Sequence, residues 1–329
     1  MRDLITNFPS QIEESITISN GIKIELDRTI TNIIICGLGG SGIGGEIVKT
    51  WFKHSASLPI EVCHSYDLPK YASKTSLIIA CSYSGNTEET LSTLDQAIQV
   101  NSYVIGITSG GKLEGIITEI GMPIVKLPGG LPPRSALAYP LIQLVKVLSM
   151  VLSSSDKVMT HLTTFPKFLR AHQSKTIKIA EEILSNSGSN NILFYSEDQF
   201  EPVGLRACQQ MNENSKELAF RNVIPEMNHN EIVGWAEAPE NIFTVFLRSN
   251  LEHPKNRQRI DITHEVISKK TPKHMTIEAV GDNLVHQTLY FIHILDWVSL
   301  IRAEHKKIDV EEVRVIDYLK KQLAQGSRG

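Results

Sequence analysis

Short, almost wholly apolar runs alternate along this chain with longer stretches in which apolar residues recur every three or four positions. The runs fall near 31–36, 59–64, 76–81, 103–107 and 123–127. The helical periodicity falls near 43–53, 87–99, 112–120 and 135–153, after a short amphipathic stretch at 10–16. Strand followed by helix, repeated, predicts a parallel sheet with helices on both faces. A polar stretch at 154–165 reads as a linker. The pattern then resumes with a helix at 166–186, a turn cluster at 185–190 and a strand at 191–195. A helix at 203–217 and a short strand before Pro225 follow. Further on come strands at 242–247 and 275–280 and helices at 255–269, 284–304 and 310–324. Asp309 reads as N-cap of the last helix, with Glu312 completing its box. The expected fold class is α/β, as two αβα sandwich domains with mainly parallel sheets, 1–153 and 154–329.

Composition narrows the setting. At 329 residues there is enough chain for two cores, and 41% apolar with 21% charged residues is ordinary for a soluble globular protein. A net charge of −3 gives no electrostatic case for nucleic acid or an anionic membrane as partner. Neither a leader-like apolar segment at the N-terminus nor an uninterrupted apolar run of spanning length is visible, so a cytoplasmic location is expected. Cys36, Cys63, Cys81 and Cys208 form no Cys-x-x-Cys, and the first three fall in apolar runs. They predict buried thiols in a reducing compartment and no structural zinc.

Candidate chemistry begins at the end of the first run. Residues 33–45 read Ile-Ile-Ile-Cys-Gly-Leu-Gly-Gly-Ser-Gly-Ile-Gly-Gly before a helical pattern. Strand, glycine loop and helix point backbone N–H groups and a helix N-terminus at an anion. A turn that merely packs would need one or two glycines, so an anion site is expected. Gly37, Gly39 and Gly42 satisfy the dinucleotide spacing, but the second strand ends in His64-Ser65 rather than in the acidic residue that would hold a ribose. No Gly-Lys-Ser/Thr follows, which excludes the nucleoside triphosphate loop. The third run enters Ser82-Tyr83-Ser84-Gly85-Asn86-Thr87 ahead of another helix. Three hydroxyls beside a helix N-terminus suit a phosphate monoester without metal or lysine. Thr87 read alone would be a common N-cap.

Three polar residues further on are candidates of a weaker kind. Arg134 follows a proline- and glycine-rich loop at the start of an apolar helix, where the helix dipole disfavours a cation unless an anionic partner is near. Glu213 sits among asparagines at a helix end, and His229 follows Pro225 in a polar cluster. Most glutamates on helices are merely solvated, and most single histidines are satisfied locally.

Together these motifs resemble the sugar isomerase (SIS) domain, and over 30–325 the bifunctional phosphoglucose/phosphomannose isomerases of archaea and some bacteria. The carriers are the glycine loop 37–42, the serine loop 82–90, Pro-Arg-x-Ala-Leu at 133–137 and Asn-Glu-Asn-x-Lys at 212–216. His229-Asn230 and Leu-Lys-x-x-Leu at 319–323 complete the set. The resemblance implies two SIS-like domains and an aldose–ketose isomerase acting on glucose-6-phosphate through a cis-enediol, with no metal or other cofactor. It implies that Gly39, Gly40, Ser41, Ser82, Ser84 and Thr87 hold the 6-phosphate. Glu213 would move the proton between C2 and C1, and Arg134 would stabilise the enediolate. His229, shared across a homodimer, and Lys320 would open the sugar ring. One departure stands out: Val313 occupies the place, seven residues before Lys320, where members credited with mannose activity carry threonine. That weakens the expectation for mannose-6-phosphate. The alternative is a non-catalytic phosphosugar sensor, which would need the serine loops but not Arg134, Glu213, His229 and Lys320 together. A glutamine-dependent aminosugar synthase would need an N-terminal amidotransferase domain with a leading cysteine, and the chain opens Met1-Arg2 instead.

Overall fold

A computed structural model of the protein describes residues 1–152, 157–237 and 239–326. Two helices, α1 (Arg2–Thr6) and α2 (Phe8–Ser19), precede a five-stranded sheet. Its strands are β1 (Asn32–Cys36), β2 (Ile60–Cys63), β3 (Ser76–Cys81), β4 (Tyr103–Thr108) and β5 (Ile124–Lys126). Their order is β2-β1-β3-β4-β5, and every pairing is parallel. The connecting helices are α3 (Gly39–Phe52), α4 (Glu88–Gln99) and α5 (Gly111–Glu119), and α6 (Ala138–Val151) follows the last strand. The apolar runs lack alternation because both sheet faces are covered. Ile33, Ile35, Leu77 and Ile79 enter one core, while Ile34, Cys36, Ile78 and Ala80 enter the other.

The second sheet, β7-β6-β8-β9, is also parallel throughout. It is built from β6 (Asn191–Glu197), β7 (Phe220–Ile224), β8 (Ile242–Arg248) and β9 (His274–Glu278). Its helices are α7 (Lys157–Ser187), α8 (Glu201–Gln210), α9 (Pro254–Ser268), α10 (Leu284–His305) and α11 (Arg314–Gly326). The larger core runs on from the first sheet through α2, α6, α7 and α10 into β6 and β8. By length and composition α10 could cross a membrane, but 89% of its most apolar window is buried inside the fold, so it is a core helix.

Several boundaries differ from the expectations. The linker expected at 154–165 is helix from Lys157 onward, because Leu162, Phe165 and Leu169 recur at helical spacing and are fully buried. Residues 154–156 of that expectation lie outside the described residues. The helix expected over 203–217 ends at Gln210 and gives way to a single π-helical turn, Met211–Ser215. The final helix starts at Arg314, four residues later than expected. Asp309 does not cap it: its Oδ1 accepts from the Glu311 N–H at 2.9 Å, and Glu312 Oε1 accepts from the Arg314 N–H at 2.5 Å.

Candidate active site

In a sheet of order β2-β1-β3-β4-β5 the chain reverses direction of travel between β1 and β3, and their carboxyl ends open the crevice where ligands of such sheets bind. Both loops singled out in the sequence leave from there. The serine loop folds on itself: Ser82 Oγ lies 2.8 Å from Thr87 Oγ1 and accepts from the Gly85 N–H at 3.1 Å. Ser84 Oγ accepts from the Asn86 N–H at 3.3 Å, and Ser84 is exposed. Thr87 is the N-cap residue of α4, but its side chain makes no cap hydrogen bond. Thr87 thus holds the expected N-cap position, with its hydroxyl directed to Ser82 rather than to the helix backbone. Ser41 Oγ accepts from the Tyr83 N–H at 3.1 Å, which ties the glycine loop to the serine loop.

The glycines have a second use that the sequence reading underrated. The helix begins at Gly39 rather than at 43, so most of them lie in its first turns. Gly39 adopts φ +52 with open space around it, which suits a backbone facing a ligand. At Gly40 a β-carbon would stand 2.8 Å from the carbonyl oxygen of Pro133. Gly40 is thus small so that the turn carrying Arg134 can lie against the glycine loop. Beneath the loop His64 bridges Gly37 and Glu46, with Nδ1 2.8 Å from the Gly37 carbonyl and Nε2 2.9 Å from Glu46 Oε1. Both partners accept, so the imidazolium is favoured and Glu46 raises the His64 pKa above its ordinary value.

Arg134 lies on a short 3-10 turn, Pro133–Ser135, and is 6% exposed, so it is no solvated surface cation. Its Nη1 donates to Glu213 Oε2 at 3.4 Å, its Nε to Asn214 Oδ1 at 2.9 Å and its Nη2 to the Val310 carbonyl at 2.5 Å. The π turn makes this possible by widening the helix end, so that Glu213 stays partly exposed while Asn214 is fully buried. Beside Glu213 opens a cavity of about 460 Å³, lined also by Lys216, Glu312 and Val313 and by the first turn of α11. Lys216 was part of the sequence motif without a role. Its Nζ donates to the carbonyls of Glu213 (2.6 Å) and Glu312 (2.7 Å), and burial, with the nearby charge of Arg134, lowers its pKa.

Arg134, Glu213 and the glycine and serine loops are therefore neighbours through a chain of direct contacts. His229 and Lys320 are not part of this group. His229 is exposed, with no side-chain hydrogen bond among the described residues, and neither residue lines the cavity beside Glu213. Ile316 does line it, and Lys320 lies one turn further along the same face of α11. Sequence reasoning missed the stretch around Val310 and Glu312, whose main-chain carbonyls meet Arg134 and Lys216. Backbone acceptors leave no signature in side-chain identity. Among the described residues no group of three or more His, Cys, Asp or Glu side chains could hold a metal ion.

Fold and loops define a SIS-type phosphosugar protein. Residues 28–112 match the SIS domain, and 172–323 match the bacterial phospho-glucose isomerase C-terminal SIS domain. In fold the chain is similar to a hypothetical protein from Thermus thermophilus, with a TM-score of 0.79, 13% identity, and coverage of 99% of this chain and 89% of that one. In sequence it is 32% identical to the bifunctional phosphoglucose/phosphomannose isomerase of Caldicellulosiruptor bescii over 99% of both chains. It is also 34% identical to the D-glucosamine-6-phosphate 4-epimerase of Sulfolobus acidocaldarius, over 66% of this chain and 68% of that one. The chain belongs to the bifunctional phosphoglucose/phosphomannose isomerase family.

Proposed function

We propose that the protein interconverts glucose-6-phosphate, and less readily mannose-6-phosphate, with fructose-6-phosphate by proton transfer through a cis-enediol. The observation that carries this reading is the pairing of Arg134 with Glu213 at 3.4 Å, on a turn that lies against the glycine loop. The main-chain N–H groups of Gly39 and Gly40 and the hydroxyls of Ser41, Ser82, Ser84 and Thr87 bind the 6-phosphate, far from the reacting carbons, and supply orientation. Glu213 removes the C2 proton of the open aldose and returns it to C1, one carboxylate serving one face of the enediol. Arg134 exchanges its contact to the Val310 carbonyl for the substrate oxygen and stabilises the enediolate as its charge develops. No step in this scheme requires a metal or an organic cofactor.

Lys320 and His229 open the sugar ring, His229 from the partner in a homodimer. The exposure of His229 and the exposed apolar face of α11 (Val315, Tyr318 and Leu319) support that assembly. A cytoplasmic setting is supported by four buried free thiols. The test is Glu213→Gln, which keeps shape but cannot take the proton. Turnover of glucose-, mannose- and fructose-6-phosphate should fall by about two to four orders of magnitude with binding retained. A folded, substrate-binding Glu213→Gln protein with wild-type turnover would refute it. Glucosamine-6-phosphate belongs in the same assay, given the epimerase relative.

A further inference from the structure

A guanidinium that stabilises a transient charge has to be held still, yet Arg134 sits in a loop rich in proline and glycine. Two buried arms converge on it. In the first, Arg134 Nε donates to Asn214 Oδ1 (2.9 Å), Asn214 Nδ2 donates to Ser299 Oγ (2.9 Å), and the Ser299 hydroxyl donates to the Asp296 carbonyl (2.8 Å). Arginine can only donate, so the direction of this chain is set from end to end: the Asn214 carbonyl must face Arg134 and its amide nitrogen must face Ser299. In the second, Arg206 Nη2 (2.9 Å) and Gln210 Nε2 (3.4 Å) donate to the main-chain carbonyl of Arg134. The Asp296 carboxylate holds both donors, accepting from Arg206 at 2.7 and 3.1 Å and from Gln210 at 3.0 Å.

Asn214 and Ser299 are fully buried, and Arg206, Gln210 and Asp296 nearly so. Buried ionic and polar groups of this kind often add little net stability over well-packed apolar ones. Their convergence on one residue, by its side chain and by its backbone, has a simpler explanation in function. We infer that Asn214, oriented by Ser299, and the Asp296–Arg206–Gln210 group are positioning residues that fix the Arg134 guanidinium beside Glu213. The inference rests on the proposed role of Arg134 at the enediolate.

A double-mutant cycle on the full-length protein separates the two claims. Asn214→Ala should lower kcat for fructose-6-phosphate about ten- to a hundredfold, with KM within about twofold, because the phosphate loops are untouched and a misplaced group loses rate steeply. In an Arg134→Ala background the same substitution should change kcat by less than about threefold, since nothing is left to position. Ser299→Ala, which keeps the Asn214 carbonyl, should show the same coupling with a smaller loss. It carries the test if Asn214→Ala does not fold. Equal losses in both backgrounds, or wild-type kcat in the single variants while Arg134→Ala is impaired, would overturn the inference and leave Arg134 in place. Wild-type kcat in Arg134→Ala would overturn the role of Arg134 and the inference with it.

Discussion

Gly40→Ala is the smallest change that should separate the glycine loop from the Arg134–Glu213 pair, the proposed centre of proton transfer. The added β-carbon would stand 2.8 Å from the Pro133 carbonyl oxygen, where ordinary contacts begin at 3.4 Å, so the turn must retreat by about 0.6 Å. The obstacle is backbone and cannot rotate away. Arg134 is the next residue, and its contact to Glu213 is already long at 3.4 Å. Misplacement by 1 Å at a reacting centre can cost about a hundredfold, so a shift of this size predicts a loss in kcat of about ten- to thirtyfold. Overpacking should cost about 1–3 kcal/mol of stability in addition. The assay is fructose-6-phosphate turnover at saturating substrate, coupled to a glucose-6-phosphate dehydrogenase, beside a thermal melt. Gly115→Ala is the control: it lies on α5 with nothing within 4 Å of a new β-carbon. It should keep wild-type kcat and gain about 0.5–1 kcal/mol from helix propensity. A Gly40→Ala protein with unchanged kcat and unchanged melting would show that no close approach to Pro133 sets the position of Arg134.

Other perturbations reach different parts of the molecule. Ser84→Ala and Thr87→Ala should mainly raise KM, by about 1.5–3 kcal/mol for each hydrogen bond lost to a charged phosphate, and unchanged KM in the double variant would move the phosphate elsewhere. Val313→Thr puts a hydroxyl on the wall of the Glu213 cavity and should raise the ratio of mannose- to glucose-6-phosphate turnover; an unchanged ratio removes Val313 as a determinant. His64 should titrate above the ordinary histidine value by NMR, and Glu46→Gln should bring it down. Its stabilising contribution is complete below pH 6.5 and is lost as pH rises through the raised folded value, so a stability difference between wild type and Glu46→Gln that grows with pH is the contrary result. Burial lowers the pKa of His293 from 6.5 to about 4. Stability should therefore fall by about 3 kcal/mol as pH drops through that window, and urea midpoints that do not move between about pH 7 and 4 would argue against it.

The parallel sheet around β1 and β3 was legible because its burial is two-sided: a strand covered on both faces must be apolar without alternation, and little else in a soluble chain looks so. The serine loop stood out because hydroxyls crowd one strand end, and the structure places it beside the glycine loop at the carboxyl ends of β1 and β3. What failed were boundaries set by tertiary packing. The polar surface of the first turns of α7 hid Leu162 and Phe165, whose spacing to Leu169 is helical but sparse. The π turn at Met211–Ser215 follows from the needs of Arg134 and Ser299, both more than seventy residues away, and no local propensity records it. Even the glycines were half misread: their number suggested a ligand, while Gly40 answers to Pro133.

A loop that only bound phosphate would be indifferent to what lay behind it, and an arginine that only paired with Glu213 could be delivered by any nearby element. Here one missing β-carbon joins the two, so the glycine loop and the Pro133–Ser135 turn that carries Arg134 meet in close contact, and under the proposed function phosphate binding and proton transfer would share that boundary. Asp296, on the buried helix α10, holds Arg206 and Gln210, which donate to the Arg134 carbonyl of that turn. Under the proposed function, phosphate at the loops of the first sheet would thereby be registered against the Glu213 carboxylate of the second half. The two sheets need no hinge between them for this, because the larger core already runs through both. The parts left outside this frame, His229 and α11, lie on the surface, where a second subunit can reach them.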